Sequence, residues 1–373
     1  MKRDNLPHRN RIALVLQGGG ALGAYQAGIF QAMHENNLAP DWVVGTSIGA
    51  INAAIIAGNP PEMRLTRLRQ FWDRVAHADS IDMSSVPDSV RKLNTWLGAL
   101  DVVLRGVPGF FLPRFFSPFK LGLPVEPESA SFYDTSPLER TLRELVDFDY
   151  LNTDDGTRLT VNAMRVIHGD LASFDNTKHY VDVHHIMASG ALPPGFPAVR
   201  IDGELYWDGG LYSNTPLETV LDDEPRVDTL CFMVDLWSAD GDEPTTFDEV
   251  QTRQKDVMFT SRSRRHIENY KTVHNLRRCL SSLEAKLPEE MRKHPEICQL
   301  TAHGCATTMH IVRLAYTGRD WHMPSKDINF SKGSVEWRWN LGYEDATRAI
   351  QQAGWLAETS PDVGVVVHES LPK

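Results

Sequence analysis

Gly45-Thr46-Ser47-Ile48-Gly49 holds a serine between glycines two residues before and two residues after it. The β-branched run Trp42-Val43-Val44 ahead of it reads as a buried strand, and Ala50 to Ala57 behind it as a helix ended by Gly58. In such a strand, tight turn and helix, Gly45 and Gly49 make room for a strained serine backbone that exposes the hydroxyl at the helix N-terminus. The helix dipole and its free N–H groups then favour negative charge beside Ser47. That is the chemistry of a serine nucleophile attacking a carbonyl carbon.

A glycine loop precedes the serine. Gln17-Gly18-Gly19-Gly20-Ala21-Leu22-Gly23 follows an apolar strand, Arg11 to Leu16, and leads into a helix from Ala24 to Asn36. Gly18, Gly20 and Gly23 match the dinucleotide-binding pattern, but that fold wants an acidic residue at the end of the second strand, where this chain has Gly45-Thr46-Ser47. A phosphate loop fails as well, because Ala24 and Tyr25 follow Gly23 where Lys and Ser or Thr are needed. An oxyanion hole fits best. Gly18, Gly19 and Gly20 leave backbone N–H groups unobstructed toward a substrate oxygen, with Gly19 and Gly20 the expected donors. Only 27 residues separate Gly20 from Ser47, enough for one right-handed strand–helix–strand crossover. Its two parallel strands bring loop and serine to the same sheet edge, a spacing shorter than in an ordinary α/β-hydrolase.

The third group lies far downstream. Val199 to Ile201 and Glu204 to Trp207 flank Asp202-Gly203, a hairpin signal, and the second strand delivers Asp208-Gly209-Gly210. Alone, Asp208 would read as a turn aspartate bonding its own backbone. Beside a serine and a glycine loop it reads as a general base toward Ser47, with Gly209 and Gly210 as the supporting turn that permits close approach.

In this order and spacing the three groups resemble the patatin-like phospholipase family. Ala188-Ser189-Gly190-Ala191-Leu192-Pro193 is similar to the family's helix end before its aspartate, and Asn214 with Pro216 to its continuation after it. The resemblance covers roughly residues 11 to 236. It implies an α/β protein, a three-layer α/β/α fold with a mostly parallel central sheet, and a Ser–Asp dyad without histidine, carried here onto Ser47 and Asp208. It implies lipid acyl ester hydrolysis of phospholipase A or lysophospholipase type through an acyl-serine, with no cofactor and no metal. The alternatives are an acyltransferase that passes the same acyl group to an alcohol or thiol, and a lipid-binding or scaffold protein with a disused site. Family members usually begin the glycine loop with Asp or Gly; the Gln17 found here is expected to be tolerated because the backbone does the work.

The elements around these groups come from periodicity. Asn59-Pro60-Pro61-Glu62 starts a helix whose apolar stripe is Leu65, Leu68, Phe71, Trp72 and Val75. Ser136-Pro137-Leu138-Glu139 has the form of a capping box opening a helix through Leu145. Leu159 to Ile167 and Leu171 to Phe174 read as strands, and His184 with His185, at a strand-to-helix junction, as structural. An apolar insertion occupies about 78–132, with an amphipathic pattern through Leu93, Trp96, Leu97, Leu100, Val103 and Leu104. It then runs through Phe110, Phe111, Phe115, Phe116 and Phe119, five of the chain's fifteen phenylalanines. From Val102 to Val125 there is no acid, while Arg105, Arg114 and Lys120 add positive charge. Prolines exclude a spanning helix there, leaving either an irregular insertion packed on the domain or a lip that touches lipid.

Past Trp237, the polar connector Ser238 to Pro244 marks the expected boundary between a catalytic domain over 1–237 and a C-terminal α+β extension over 245–373. The extension is similar to those on bacterial patatin-like proteins, and its sequence assigns it no role. Residues 251–280 carry eight Lys and Arg against two acids, read as a solvated helical face or a site for anionic headgroups. His310 to Ala315 reads as a strand and Tyr343 to Ala353 as a helix. A net charge of −11 argues against nucleic-acid partners. Four cysteines without a pairing pattern and the lack of a signal-peptide core suit a cytoplasmic protein, peripherally membrane-associated, acting on a lipid or membrane-surface acyl ester. A homo-oligomer is left open. His294, Cys298, His303 and Cys305 lie close together but fit no usual zinc spacing.

Overall fold

Alternation along the strands decides the layers. In β1 (Arg11–Leu16), Ile12, Leu14 and Leu16 enter one core while Ala13 and Val15 enter another on the opposite face of the sheet. A strand buried on both faces must be covered by helices on both, and it is. A computed structural model of the chain describes residues 11–77, 101–154, 156–260, 263–318, 325–357, 360 and 363–369. The chain continues through α1 (Gly23–Glu35), β2 (Trp42–Gly45), α2 (Ile48–Ala57) and α3 (Pro61–Val75). Next come the small antiparallel pair β3 (Leu112–Pro113) and β4 (Tyr133–Asp134), then α4 (Ser136–Leu145), β5 (Arg158–Arg165), β6 (Leu171–Asp175) and α5 (Val183–Ser189). The hairpin β7 (Val199–Ile201) and β8 (Glu204–Asp208) leads to α6 (Leu217–Leu221) and β9 (Thr229–Asp235). The last third adds α7 (Phe247–Phe259), α8 (Ser263–Lys286), β10 (Met309–Ala315), α9 (Lys332–Gln352) and β11 (Val365–Glu369).

Among the described residues one sheet holds nine strands in the order β11-β10-β9-β1-β2-β5-β8-β7, with β6 also paired to β5. The pairs from β11 to β5 are parallel; β6, β7 and β8 pair antiparallel. Helices α1, α2, α3, α4, α5 and α9 cover one face, and α6 with α8 the other, which is the three-layer α/β/α architecture expected from the sequence. Every residue of α2 is buried, as its run of Ala and Ile requires.

One topological detail positions the site. On β5, Thr160 to Met164 pair with β6, so β2 and β8 share the other edge. There β2 ends with Gly45 opposite Val161, running parallel, while β8 ends with Asp208 opposite Ala163, running antiparallel. The carboxyl ends of the two strands therefore meet head-on beside Asn162.

Several expectations take a different form. The segment after residue 245 extends the same sheet, since β10 pairs with β9 over seven residues, Met309 to Ala315. Helix α9 begins at Lys332 instead of Tyr343 and lies across α1, where Gly28 and Gly342 face it and its partner without side chains. A Cβ on Gly28 would lie 1.9 Å from the Trp339 carbonyl, and one on Gly342 would lie 2.0 Å from that of Tyr25. The capping box at Ser136 is not formed: Ser136 is already helical, Thr135 precedes it, and no side chain caps the end. In the insertion, Phe110 and Phe111 pack inside, whereas Phe115 and Phe116 are 63% and 102% exposed. The pattern from Leu93 to Leu100 lies outside the described residues. No helix among the described residues is long and apolar enough to cross a membrane.

Candidate active site at the meeting of two strand ends

Ser47 has φ 56° and ψ −123°, a strained conformation for a residue with a side chain, between the end of β2 and the first turn of α2. The two flanking glycines are there because nothing larger fits. A Cβ on Gly45 would meet the Gly49 carbonyl at 2.3 Å, and one on Gly49 would meet the Leu16 carbonyl at 2.2 Å. The Ser47 N–H donates to both the carbonyl and the hydroxyl oxygen of Ser189 at 3.1 Å, tying the turn to the end of α5.

Asp208 arrives from the other strand end, 2% exposed. Its N–H donates to the Ala191 carbonyl at 3.0 Å, and its Oδ1 accepts from the Gly210 N–H at 2.7 Å. The Ser47 side chain lies close enough to its carboxylate to favour the ionised form. Burial pushes the Asp208 carboxyl up to about 7, against the opposing pull of the Gly210 N–H and of Ser47. Gly209 sits against Asn162, whose carbonyl would be 2.3 Å from a Cβ there, so the turn after Asp208 needs its glycine to lie on β5. A carboxyl that ionises near neutrality, in contact with a strained serine, is equipped to take and return a proton.

The glycine loop completes the group. Gly18 has Ser47 Cβ within 3.0 Å and Asn214 Oδ1 within 2.4 Å of where its own Cβ would be, so it packs directly on the serine. Its N–H, however, is donated to the Asn214 carbonyl at 3.2 Å, and its carbonyl accepts from Asn214 Nδ2 and Trp237 Nε1. The one backbone donor of Gly18 is therefore already engaged within the protein. The N–H groups of Gly19 and Gly20 make no hydrogen bond among the described residues, and Gly20 holds φ 55°. Gln17, expected to be a passive departure from the family pattern, is fully buried and anchors the loop. Its Oε1 accepts the N–H groups of Leu236 and Trp237, its Nε2 donates to the Phe259 carbonyl, and its own carbonyl accepts from Gln26. Nothing local in the sequence announces that role, since all but one of these partners lie more than two hundred residues away.

A cavity of about 330 Å³ opens over Ser47, Asp208 and the glycine loop. Its walls are mostly apolar, with Ile51, Val102, Phe110, Phe111 and Phe196 among them. His184 and His185 stand apart from it in the first turn of α5, where His185 and the N-cap Asp182 form a reciprocal cap; Asp182 is only partly buried, and against that desolvation its hydrogen bond with His185 holds it down at about 2. Of the basic residues in 251–280, Arg253, Lys255 and Arg278 have partners within the protein, so that stretch is not a uniformly solvated face.

The family model for patatin-like phospholipases matches residues 14–221, more than half of the chain. The chain belongs to the patatin-like phospholipase family. A second model, described as patatin phospholipase, matches residues 257–362. Among curated relatives, a triacylglycerol lipase of fission yeast is 25% identical over 48% of this chain and 31% of its own length. Patatin-like phospholipase domain-containing protein 7 of rat is 26% identical over 64% of this chain and 14% of its own. The chain spans less than a third of the length of each of these relatives. VipD from Legionella pneumophila is a similar solved structure, at 15% identity, covering 92% of this chain and 67% of that one with a TM-score of 0.40.

Proposed function

We propose that the chain hydrolyses acyl esters of lipids, with Ser47 as nucleophile, Asp208 as general base, and the N–H groups of Gly19 and Gly20 as oxyanion donors. One joint observation carries this reading: a serine at positive φ with a buried carboxyl in reach of its hydroxyl, both opening into an apolar cavity. Asp208 takes the hydroxyl proton as Ser47 Oγ bonds to the ester carbonyl carbon, and the oxygen that gains negative charge is met by the loop donors. Collapse breaks the bond to the leaving alcohol, which receives the proton from Asp208. Water then gives its proton to Asp208, attacks the acyl-serine, and releases the acid and the free serine. Family membership and the names of the relatives, a lipase and a phospholipase domain protein, support a lipid ester.

The exposed Phe115 and Phe116, a few residues beyond the cavity-lining Phe110 and Phe111, support the further reading that the enzyme works while touching a lipid surface. The test of catalysis is intact mass after treatment with a fluorophosphonate probe. Wild type gains one adduct, Ser47→Ala gains none, and Asp208→Asn reacts at least about 100-fold more slowly, as expected for loss of a general base. An adduct of equal rate on Ser47→Ala would end the reading.

A further inference from the structure

The segment matched by the second family model, to which the sequence assigns no role, reaches the proposed active site at two points. At the first, the carbonyl of Phe259, the last residue of α7, accepts from Asn214 Nδ2 at 2.8 Å and from Gln17 Nε2 at 3.3 Å. Gln17 of the glycine loop and Asn214 thus cap that helix together. At the second, the turn Lys326–Ile328 lies on the loop so closely that a Cβ on Gly20 would be 2.2 Å from the Asp327 carbonyl. Phe259, Asp327, Ile328 and Phe330 also line the cavity.

The two points are bolted to each other. Lys255 of α7 binds Asp327 at 2.8 Å and 3.0 Å, and Lys326 of the turn binds Asp256 of α7 at 2.7 Å, so adjacent residues on each side exchange opposite charges. The Lys326 ammonium also lies 5.2 Å from the ring centre of Trp237, whose indole N–H holds the Gly18 carbonyl. Behind the turn, the fully buried guanidinium of Arg338 donates to the carbonyls of Lys326 and Asn329 at 2.8 Å and 3.0 Å. Burying an arginine to hold two carbonyls of an irregular turn costs desolvation that mere surface closure would not require.

We infer that the C-terminal segment is a working part of the active site: α7 and the turn 325–330, joined by the reciprocal Lys255–Asp327 and Lys326–Asp256 pairs, clamp the glycine loop so that Gly20 keeps its positive φ. Gly20 at φ 55° is one of several backbone states open to a glycine, and the loop on its own could leave it. With the Asp327 carbonyl against its α-carbon, the peptide is held in the orientation that turns its N–H toward the cavity. Lys255 and Lys326 act as positioning residues, since neither lines the cavity. The same clamp lets Ile328 and Phe330 form one wall of the acyl site.

This inference rests on the proposed function, and the experiment separates the two. Full-length wild type, Lys326→Glu, and the exchange pair Lys326→Asp with Asp256→Lys are treated with saturating fluorophosphonate, and both the rate and the end point of Ser47 labelling are followed by intact mass. The end point reports the folded fraction; the rate reports the loop. The expected result is full labelling of all three proteins, a rate about 10-fold or more lower in Lys326→Glu, recovery to within about 3-fold in the exchange pair, and an unchanged pH midpoint, in keeping with the ~100-fold cost of losing an oxyanion donor outright. Where Lys326→Glu does not fold, Asp327→Asn is read in the same way. A wild-type rate in a variant whose melting temperature has fallen would overturn the inference while leaving the function intact. No labelling of wild type would instead strike at the function.

Discussion

At the scale of single residues, the site turns on a carboxyl kept out of water. Asp208 ionises at about 7 because burial outweighs the hydrogen bonds from the Gly210 N–H and Ser47. Two consequences run in opposite directions. In the proposed mechanism cleavage of a short soluble ester needs the ionised base, so kcat/KM rises about tenfold per pH unit below 7 and levels off above it, which a pH–rate profile checks. Stability runs the other way. Near pH 3 the group is neutral in folded and unfolded chains alike; between the ordinary carboxylate range and 7 the unfolded chain loses its proton first, so the folded state is progressively disfavoured. Above 7 the full penalty stands, on the order of 4 kcal/mol for a shift of this size. Asp208→Asn is therefore more stable than wild type at pH 8 and similar to it at pH 4, a comparison made by thermal unfolding.

The turns that carry Ser47 and Asp208 were legible because each is short, marked by glycine and local in its backbone demands. Gln17 and Gly18 were not, because what they do depends on Asn214, Leu236, Trp237 and Phe259, and no pattern around residue 17 points to them. The same distance in sequence explains why Gly18 looked like a donor: the carbonyl that occupies its N–H belongs to residue 214.

At the scale of elements, the Phe-rich insertion divides its labour. Phe110 and Phe111 pack edge-on or tilted against Phe196, Tyr133 and Phe330 in the cavity wall, while Phe115, Phe116, Leu121 and Leu123 face outward. Replacing Phe115 and Phe116 with Ser leaves hydrolysis of a soluble short-chain ester within about 2-fold, because those side chains touch nothing in the site, and lowers sedimentation with liposomes, the loss of apolar area being the driving force removed. Unchanged sedimentation would confine the lip to packing. β1, β2, β5 to β8, β10 and most helices followed from periodicity and end signals, as in the Asp202-Gly203 hairpin, where both residues take positive φ, whereas β3, β4, β9 and β11 were not read. Helix α9 was read eleven residues short because its first half alternates exposed charge with a buried Arg338, a residue type that apolar periodicity counts as surface.

At the scale of the whole molecule, the resemblance led to the right architecture, and the sheet reaches beyond it through β10 and β11. Apart from β1 and β2, whose short crossover announced their pairing, the parallel partners left no trace in sequence, because they are set by crossovers of tens of residues and not by a turn. The contact of α1 with α9 shows what that extension contributes. In Gly342→Ala the new methyl would fall 2.0 Å from the Tyr25 carbonyl, so the helices must part. Overpacking of this kind costs about 1–3 kcal/mol, read as a lower midpoint in denaturant. Because α1 leaves the glycine loop directly, the same variant also slows Ser47 labelling; an unchanged midpoint would mean that the two helices part without penalty.

The head-on meeting of β2 and β8 also governs when the pocket comes into being on the ribosome. Ser47, Asp208 and the turn at Asp327 reach the site from three widely spaced parts of the chain, and β1 lies between two strands of which one is made early and the other late. Some 115 residues separate Trp237 from the end of α9. At the usual pace of synthesis they take on the order of 10 s to appear. Throughout that interval the outer edge of β9 is unpaired and the face of α1 that α9 will cover is bare, so the nascent chain needs shelter at that face more than at any other. A site assembled this way stays incomplete until the wall that holds Ile328 and Phe330 has been made, long after Ser47 and Asp208.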